Sequence, residues 1–258
     1  MQRKCGVPYM SERVIVIKEI RNPLVSVIIP TYNEERYIER CLKAIRAQEV
    51  DFEFEVIVSD SNSKDKTVEI AKRYADKIII TDEKGIAKGR NLGAKIAKGK
   101  YLLFVDADTQ LYFNCIKELV NSIKKKGVIG ATCMVIPENP TISNYLLYLT
   151  YNIFSKISVK SPKPQVAGIV CMYKKKYFYK VGGFREDLAF SEDFDLSERI
   201  SLYGKIVFTE KTFAITSIRR LKKFGKLKGS LRYLWLYLGY LLFKDEFAKN
   251  EKLYPPIR

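Results

Sequence analysis

Short apolar runs alternate with amphipathic stretches along the first half of the chain. The apolar runs occupy residues 24–29, 54–59, 77–81 and 101–105. Their length of five or six residues is typical of buried strands in a parallel sheet. The amphipathic stretches predict helices over residues 33–47, 64–74 and 86–97. Because strands and helices alternate at this spacing, we predict right-handed βαβ units, and therefore an α/β fold whose mostly parallel sheet is flanked by helices.

The pattern is less regular on either side of this region. The run V-I-V-I at 14–17 predicts an edge strand in an arm that ends at Pro23. Later in the chain, an aromatic-rich segment at 142–157 predicts a helix, 166–172 predicts a strand, and Gly182–Gly183 predict a turn. The chain then closes with a basic, amphipathic stretch that predicts a helical tail. We divide it into an arm at 1–23, an α/β domain at 24–216 with halves at 24–109 and 110–216, and the tail at 217–258.

Composition and charge narrow the class of protein. The chain has 258 residues, of which 47 % are hydrophobic, so it can form a sizeable core. It carries 46 Lys and Arg against 29 Asp and Glu, a formal net charge of +17. Such an excess predicts an anionic partner, which could be nucleotide phosphate, acidic lipid or nucleic acid. The excess is concentrated near the C-terminus, where residues 211–258 hold twelve basic and three acidic side chains.

Cysteine and histidine usage restricts the chemistry further. The five cysteines are widely spaced and form no C-x-x-C pair, so we expect neither a disulfide framework nor a zinc site. The N-terminus lacks an apolar signal-peptide core, and a cytoplasmic location fits best. The chain contains no histidine. A general base must therefore be a carboxylate, a perturbed lysine or a tyrosine.

Two aspartates follow the fourth apolar run directly. The segment Y-L-L-F-V-D-A-D-T ends its strand at Asp106 and Asp108. Residues i and i+2 of an extended segment point to the same side, so both carboxylates can face one point. Their mutual repulsion is relieved by a hard divalent cation with oxygen ligands, such as Mg²⁺ or Mn²⁺. The alternative is that the pair forms a turn or caps the next helix.

Other polar residues follow the neighbouring predicted strands. Thr31 to Glu34 come after the first strand, and Asp60 ends the second. Asn33 is a candidate N-cap, with Glu34 and Glu35 in the first helical turn. In open α/β sheets, ligands bind in the crevice outside the carboxyl ends of the strands. We therefore predict one site that combines these residues with Asp106 and Asp108.

Six motifs occur in an order that resembles a known family. They read V-S-V-I-I-P-T-Y-N-E-E, V-I-V-S-D-S-N-S-K-D-K-T, A-K-G-R-N-L-G-A-K-I-A-K-G, F-V-D-A-D-T, V-G-G-F-R-E and S-E-D-F-D-L-S-E-R. Together they resemble family 2 glycosyltransferases of the GT-A fold, over residues 24–216. The resemblance implies a sugar transfer from a nucleotide-diphosphate sugar, with 24–109 as the nucleotide-binding half and 110–216 as the acceptor half.

The resemblance also assigns residues to the donor site. Pro30, Tyr32 and Glu34 would line the nucleotide site, and Asp60 would accept a hydrogen bond from the base, usually uracil. The segment that lies beside the pyrophosphate and sugar in similar enzymes corresponds to Lys88, Gly89 and Arg90. The alternatives are that Asp60 is a turn residue and that the second segment is an ordinary helix entry with solvated charge.

The resemblance implies a metal site and a catalytic base as well. Asp106 and Asp108 correspond to the family's D-x-D motif, in which Asp108 would bind Mn²⁺ or Mg²⁺ and Asp106 would contact the ribose or the metal's water. Asp193, beside Glu192, corresponds to the base that removes a proton from the acceptor hydroxyl. Attack from the face opposite the nucleotide would invert the anomeric carbon. The alternative is that Glu192 and Asp193 simply begin a helix.

The chain departs from the family pattern at several places. Ser59 stands where many relatives have the first aspartate of a D-D pair, so the contact with the base rests on Asp60. No histidine is present to act as a third metal ligand, so metal affinity without nucleotide should be poor. Arg219 and Arg220 lie where a late basic element could close over the diphosphate; alternatively, they are surface charges.

The tail has two interpretations. Its apolar run at 233–243 is eleven residues, which is too short to span a bilayer. Aromatic residues beside Lys and Arg favour a helix in the membrane interface on anionic lipid, which would make the protein peripheral on the cytoplasmic membrane face. A helix docked on the protein's own core is the alternative. No nucleic-acid partner is expected, because no recognised module is present.

Two other functions compete with an inverting glycosyltransferase that uses a hydroxyl or lipid-phosphate acceptor. A sugar-phosphate nucleotidyltransferase would have an early glycine-rich, basic phosphate loop, whereas residues 30–35 are acidic and lack glycine. In a non-catalytic, membrane-associated protein that binds nucleotide sugars, the presence of these carboxylates would be a coincidence. Calorimetry with UDP, with and without Mn²⁺, separates this second alternative from an enzyme.

Overall fold

The computed structural model describes residues 12–225 and, beyond them, 232, 235–236, 239–240, 242–243, 246–250 and 253. Nine strands of this described part form one sheet. They are β1 Arg13–Val16, β2 Val25–Thr31, β3 Phe54–Asp60, β4 Lys77–Ile80, β5 Tyr101–Val105, β6 Thr109–Leu111, β7 Val128–Pro137, β8 Val170–Lys174 and β9 Lys205–Thr216. The helices are α1 Ile38–Arg46, α2 Thr67–Ala71, α3 Ile86–Ile96, α4 Cys115–Ile123, α5 Ile142–Ser158, α6 Lys175–Lys180, α7 Glu192–Ser201 and α8 Arg219–Phe224.

The sheet has the order β1-β4-β3-β2-β5-β8-β7-β9-β6. Strands β4, β3, β2 and β5 pair in parallel, which confirms the βαβ units predicted for the first half. Beyond β5 the pairing is mixed, because β8 runs antiparallel to both β5 and β7, while β7 and β9 are parallel. The predicted α/β class is therefore confirmed, and the parallel part is concentrated in the first half of the domain, residues 24–109.

Helices cover both faces of the sheet. Alternate residues of β2 point to opposite sides, so Val27 and Ile29 join one core and Ile28 joins the other. Helices α1 and α4 pack on the first face, and α3, α6 and α7 pack on the second. Helix α3 lies close to the sheet because Gly93 faces β2, where a Cβ atom would come within 2.4 Å of Ile28. Gly89 allows a similar approach, since a Cβ atom there would come within 3.2 Å of Pro30.

Several predicted boundaries were wrong. Helix α1 begins at Ile38 rather than at 33, because Asn33 adopts a left-handed φ of 55° and does not cap the helix. Its side-chain oxygen instead accepts a hydrogen bond from the Lys64 amide, at 2.8 Å. Helix α2 is five residues long, shorter than predicted. Strand β8 starts four residues later than predicted, since the Val166 amide donates to Ser197 of α7 and is held away from the sheet.

Part of the tail docks on the protein. Among the described residues beyond 225, Leu236, Tyr240 and Ala248 are buried and share a small core with Leu188 and Phe190. These two residues directly precede the acidic start of α7. The tail therefore contributes to the surroundings of the site, in line with the second interpretation given above. No helix of the described residues combines the length and apolarity required to cross a bilayer.

Candidate active site

The carboxyl ends of three neighbouring strands form one rim. Strands β3, β2 and β5 are adjacent, and Thr31 at the end of β2 lies opposite Asp60 at the end of β3. Asp106 follows the last residue of β5, and its amide donates to the Ile169 carbonyl at 3.1 Å. The predicted convergence of these strand ends is therefore confirmed. This places the polar segments of the first half on the crevice side of the sheet.

Asp60 organises the loop beside this rim. Its carboxylate is fully buried and accepts hydrogen bonds from the Thr31 hydroxyl at 2.7 Å and from the Ser63 amide at 2.7 Å. The Ser63 hydroxyl donates to it as well, at 2.6 Å. These bonds satisfy most of the carboxylate and fix the conformation of residues 60–63. Asp60 thus shapes the border of the predicted nucleotide site, while a direct contact with a base stays a prediction.

Arg90 joins the two halves of the chain. Its side chain is 2 % exposed, and its guanidinium donates to Glu192 at 2.6 Å and to Asp106 at 2.9 Å. It also donates to the Gly168 carbonyl at 3.1 Å and lies over the Phe184 ring at 5.1 Å. The resemblance implies a place for Arg90 beside the diphosphate, and that role stays a prediction. In the structure, Arg90 is the buried link between the end of β5 and the start of α7.

The acidic start of α7 lies next to this link. Ser191 precedes the helix with a left-handed φ of 60°, and Glu192 and Asp193 form its first turn. Burial and the neighbouring Asp193 charge raise the pKa of Glu192 to about 7. Burial also raises the pKa of Asp193 above its usual value, while Arg90 opposes this rise. The pair therefore combines a positioned carboxylate with increased basicity.

Asp193 is held by backbone amides. The Gly168 amide donates to one carboxylate oxygen at 2.6 Å, and the Phe194 amide donates to the other at 2.8 Å. Gly168 also accepts from Arg90, and a Cβ atom at this position would come within 2.2 Å of the guanidinium. Gly168 is thus a site residue that sequence reasoning missed. Its signal was weak, since it is a single glycine just before β8.

Arg219 bridges two carboxylates at the rim. It binds Glu34 through both terminal nitrogens, at 2.6 and 2.8 Å, and its Nε lies 2.9 Å from Asp108. The guanidinium also lies over the Tyr37 ring at 4.9 Å. Burial raises the pKa of Glu34, and the Arg219 contact opposes this rise. A residue from the tail therefore supplies the positive charge beside Asp108. The sequence alone could not identify this pairing.

The remaining predicted donor-site residues have separate surroundings. Tyr32 lies beneath the Lys84 ammonium, 5.3 Å from the ring centroid, and Lys88 forms an ion pair with Glu83. Pro30 packs against Gly89 at the start of α3. Arg220 belongs to α8, but its side chain is outside the described part of the structure. None of these contacts tests a role in donor binding, so those roles stay predictions.

The rim suits a cation that shares its ligands with a substrate. The described residues contain no group of three or more His, Cys, Asp or Glu side chains able to hold a metal. Asp106 and Asp108 offer carboxylate oxygens, which Mg²⁺ and Mn²⁺ prefer. The Arg219 guanidinium on Asp108 shows that a positive charge is favourable at this position. The chemistry of these residues therefore fits a hard divalent ion, whose other ligands would come from a substrate or water.

Fold and rim together define a class of enzyme, and comparison with known proteins gives the same result. The mixed nine-stranded sheet flanked by helices has the GT-A fold, which the solved structures described below share. The family described as glycosyl transferase family 2 matches residues 26–182, which is more than half of the sequence. The chain belongs to glycosyltransferase family 2. The match includes Asp60, Arg90, Asp106 and Asp108 and ends before Asp193.

Individual relatives agree with this assignment. An uncharacterised glycosyltransferase of Rickettsia felis is 28 % identical over 244 residues, covering 89 % of this chain and 40 % of its own. The poly(ribitol-phosphate) beta-N-acetylglucosaminyltransferase TarS of Staphylococcus aureus is 38 % identical over 124 residues, covering 41 % of this chain and 21 % of its own. The chain thus spans two fifths or less of the length of these two relatives.

Solved structures share the fold. The mannosyltransferase PcManGT from Pyrobaculum calidifontis, in complex with GDP-Man and Mn²⁺, has a TM-score of 0.69 at 21 % identity and covers 90 % of this chain and 70 % of its own. TarS 1-349 from S. aureus, in complex with UDP-GlcNAc, has a TM-score of 0.61 at 24 % identity and covers 76 % of this chain and 58 % of its own. At these identities the likeness concerns the fold.

Proposed function

We propose that the protein is an inverting glycosyltransferase that moves a sugar from a nucleotide-diphosphate donor, such as a UDP-sugar, to a hydroxyl or lipid-phosphate acceptor. The observation that carries the proposal is the buried link through Arg90, which ties Asp106 to Glu192. Because of this link, the end of β5 and the start of α7 form one charged site. A donor held at the end of β5 and an acceptor held at the start of α7 would meet in this site.

Asp193 is the proposed general base. Two backbone amides orient its carboxylate, and its raised pKa increases its affinity for the acceptor proton. Removal of that proton lets the acceptor oxygen attack the anomeric carbon from the side opposite the leaving diphosphate, in a single displacement that inverts the centre. Glu192 stays paired with Arg90 and maintains the geometry of its neighbour.

The donor is proposed to lie along the rim. Pro30, Tyr32 and Glu34 border the nucleotide, and Lys88 contributes positive charge at the start of α3. Asp106 and Asp108 would hold Mn²⁺ or Mg²⁺, which when bound neutralises charge on the departing diphosphate. The complexes of PcManGT with GDP-Man and Mn²⁺ and of TarS with UDP-GlcNAc support a nucleotide-sugar donor. They also leave two nucleotides to be compared, UDP and GDP.

Calorimetry with UDP and with GDP, each with and without Mn²⁺, tests the donor site. We expect the preferred nucleotide to bind at least about tenfold more tightly with Mn²⁺, because the ion links Asp108 to the diphosphate. Asp108→Asn should remove most of this gain, whereas Asp51→Asn, an exposed aspartate before β3, should retain it. The metal assignment is contradicted if Asp108→Asn binds as the wild type does.

Release of nucleoside diphosphate from a panel of UDP- and GDP-sugars then separates an enzyme from a binding protein. An enzyme should show metal-dependent turnover, including slow hydrolysis without acceptor. Metal-dependent nucleotide binding with no release from any donor, even with hydroxyl and lipid-phosphate acceptors added, would favour the non-catalytic alternative.

Arg219 gives a prediction of its own. Since its guanidinium occupies Asp108 and Glu34, it competes with a cation for these carboxylates. We expect Arg219→Gln to bind Mn²⁺ about tenfold more tightly in the absence of nucleotide, measured by the free-Mn²⁺ signal in electron paramagnetic resonance. Arg36→Gln, which removes an exposed arginine from the neighbouring loop, is the matched control. Equal Mn²⁺ affinity in the wild type and Arg219→Gln would contradict this competition.

A further inference from the structure

Helix α5 has its polarity reversed relative to an ordinary surface helix. Its buried residues are polar, namely Asn144, Ser155 and Ser158. Its exposed residues include six large apolar side chains that recur at helical spacing. They are Ile142, Tyr145, Leu146, Leu149, Ile153 and Ile157, of which Ile142 is 83 % and Ile157 is 65 % exposed. A surface helix normally buries its apolar stripe, so this arrangement calls for a partner on the outer face.

Hydrogen bonds fix this orientation. The Asn152 side chain accepts from the Val135 amide at 2.9 Å and donates to the Val135 carbonyl at 2.8 Å, which attaches α5 to β7. The Ser158 hydroxyl accepts from the Gln165 amide at 2.7 Å. Rotating the helix to bury its apolar stripe would break these bonds inside the protein. The apolar face is therefore held outward by the fold.

The surroundings of the stripe are basic. Residues 139–185 contain eight Lys and Arg and no Asp or Glu. Within α5 the charged residue is Lys156, which pairs with Glu210 at 2.7 Å, and the exposed Lys160 and Lys163 follow at the C-terminal end. An apolar stripe bordered by lysines is complementary to the headgroup region of an anionic bilayer, where apolar side chains enter the acyl boundary and lysines contact lipid phosphates.

We propose that α5 lies flat in the interface of an anionic membrane and docks the protein on it. At about 1.5 Å per residue, its seventeen residues give a stripe roughly 25 Å long, parallel to the membrane rather than across it. This assigns the membrane contact to α5, whereas the sequence suggested such a contact for the tail, as one of two interpretations.

The surface is connected to the candidate active site. Ser158 at the C-terminal end of α5 accepts from the Gln165 amide, and the amide of the next residue, Val166, donates to Ser197 of α7. The end of α5 therefore lies close to α7, the helix that carries the proposed base Asp193. This step rests on the proposed function: an acceptor anchored in the bilayer would be delivered to the side of the site that α7 forms.

Vesicle flotation without any donor tests the proposal. The full-length wild type should float with vesicles of phosphatidylcholine mixed with phosphatidylglycerol, and only weakly with phosphatidylcholine alone. The triple variant Leu146→Ser/Leu149→Ser/Ile153→Ser should lose at least about tenfold in partitioning. The variant Val14→Ser/Val16→Ser/Leu202→Ser, which changes three exposed apolar residues elsewhere, should bind as the wild type does. Circular dichroism verifies that each variant is folded.

A charge variant and a measurement of mass complete the test. Lys160→Gln/Lys163→Gln should weaken binding to anionic vesicles by about fivefold per lysine and leave the weak neutral binding unchanged. Unchanged flotation of the folded α5 triple variant would overturn the proposal, as would equal binding to both vesicle types. A dimer in light scattering that the triple variant abolishes, without vesicle binding, would show that a second copy covers α5. Donor turnover in vesicle-free solution is measured separately, so a failure here is distinct from a failure of the proposed function.

Discussion

Replacing Asp193 by asparagine should reduce the rate of sugar transfer by about a thousandfold, within the range general-base catalysis contributes. The amide cannot accept the proton of the acceptor hydroxyl, and both backbone bonds that orient the carboxylate are perturbed. Binding of the nucleotide should change little, because the donor residues belong to the strand ends. The measurement is the initial rate with saturating donor and acceptor, together with calorimetric binding of the preferred nucleoside diphosphate.

Two comparisons make this experiment specific. Asp51→Asn, the same chemical change at an exposed position, should leave the rate unaltered. Glu192→Gln should cost about ten times less in rate than Asp193→Asn, because Glu192 is committed to Arg90. If Glu192→Gln instead lowers the transfer rate more than Asp193→Asn does, Glu192 is the base. If a folded Asp193→Asn protein transfers sugar at the wild-type rate, the proposed mechanism is wrong.

Replacing Arg90 by methionine should destabilise the fold by about 3–5 kcal/mol. The guanidinium is almost fully buried and neutralises Glu192, which has 7 % of its side chain exposed, and Asp106. Without it, both carboxylates lose the charged partner that Arg90 provides in a poorly solvated site. Chemical denaturation by urea, followed by circular dichroism, measures the free energy of unfolding.

A matched substitution and a double variant distinguish the lost charge from lost packing. Arg73→Met changes an arginine whose side chain is 57 % exposed and whose pairing with Glu39 is long, at 3.6 Å, so the free energy of unfolding should be nearly unchanged. Adding Glu192→Gln to Arg90→Met should recover part of the lost stability, because one uncompensated carboxylate is removed. Strict additivity of the two substitutions would contradict a direct charge interaction.

The first half of the fold was predictable because its signals are local. The strands β2 to β5 are short apolar runs, and the rule for parallel sheets places their carboxyl ends on one rim. Asp106 and Asp108 were identified for this reason. The start of α1 was predicted wrongly, since Asn33 adopts a left-handed conformation and bonds with Lys64 of a distant loop. The conformation of Asn33 depends on this tertiary contact, which the local sequence does not indicate.

The second half was harder to predict because its strands pair over long sequence distances. Strand β8 lies between β5 and β7, and β7 pairs with β9, some 75 residues further along the chain. The start of β8 lies later than predicted because the Val166 amide donates a hydrogen bond to Ser197 of α7. The role of Gly168 was missed for the same reason, since a glycine gives no signal of its own until Arg90 and Asp193 are placed around it.

The sequence by itself determined the class of fold and the family, because the spacing of apolar residues and the order of motifs are properties of the chain alone. The roles that it gives to the acidic residues stay predictions. Only the tertiary structure decided how those charges are partnered. It set Arg90 between Asp106 and Glu192, and it brought Arg219 from the tail to Asp108. It also turned the apolar face of α5 outward. These three arrangements depend on contacts between residues that are far apart in sequence. Whether the pairing of a buried charge offsets the cost of removing it from water is decided only in the folded chain.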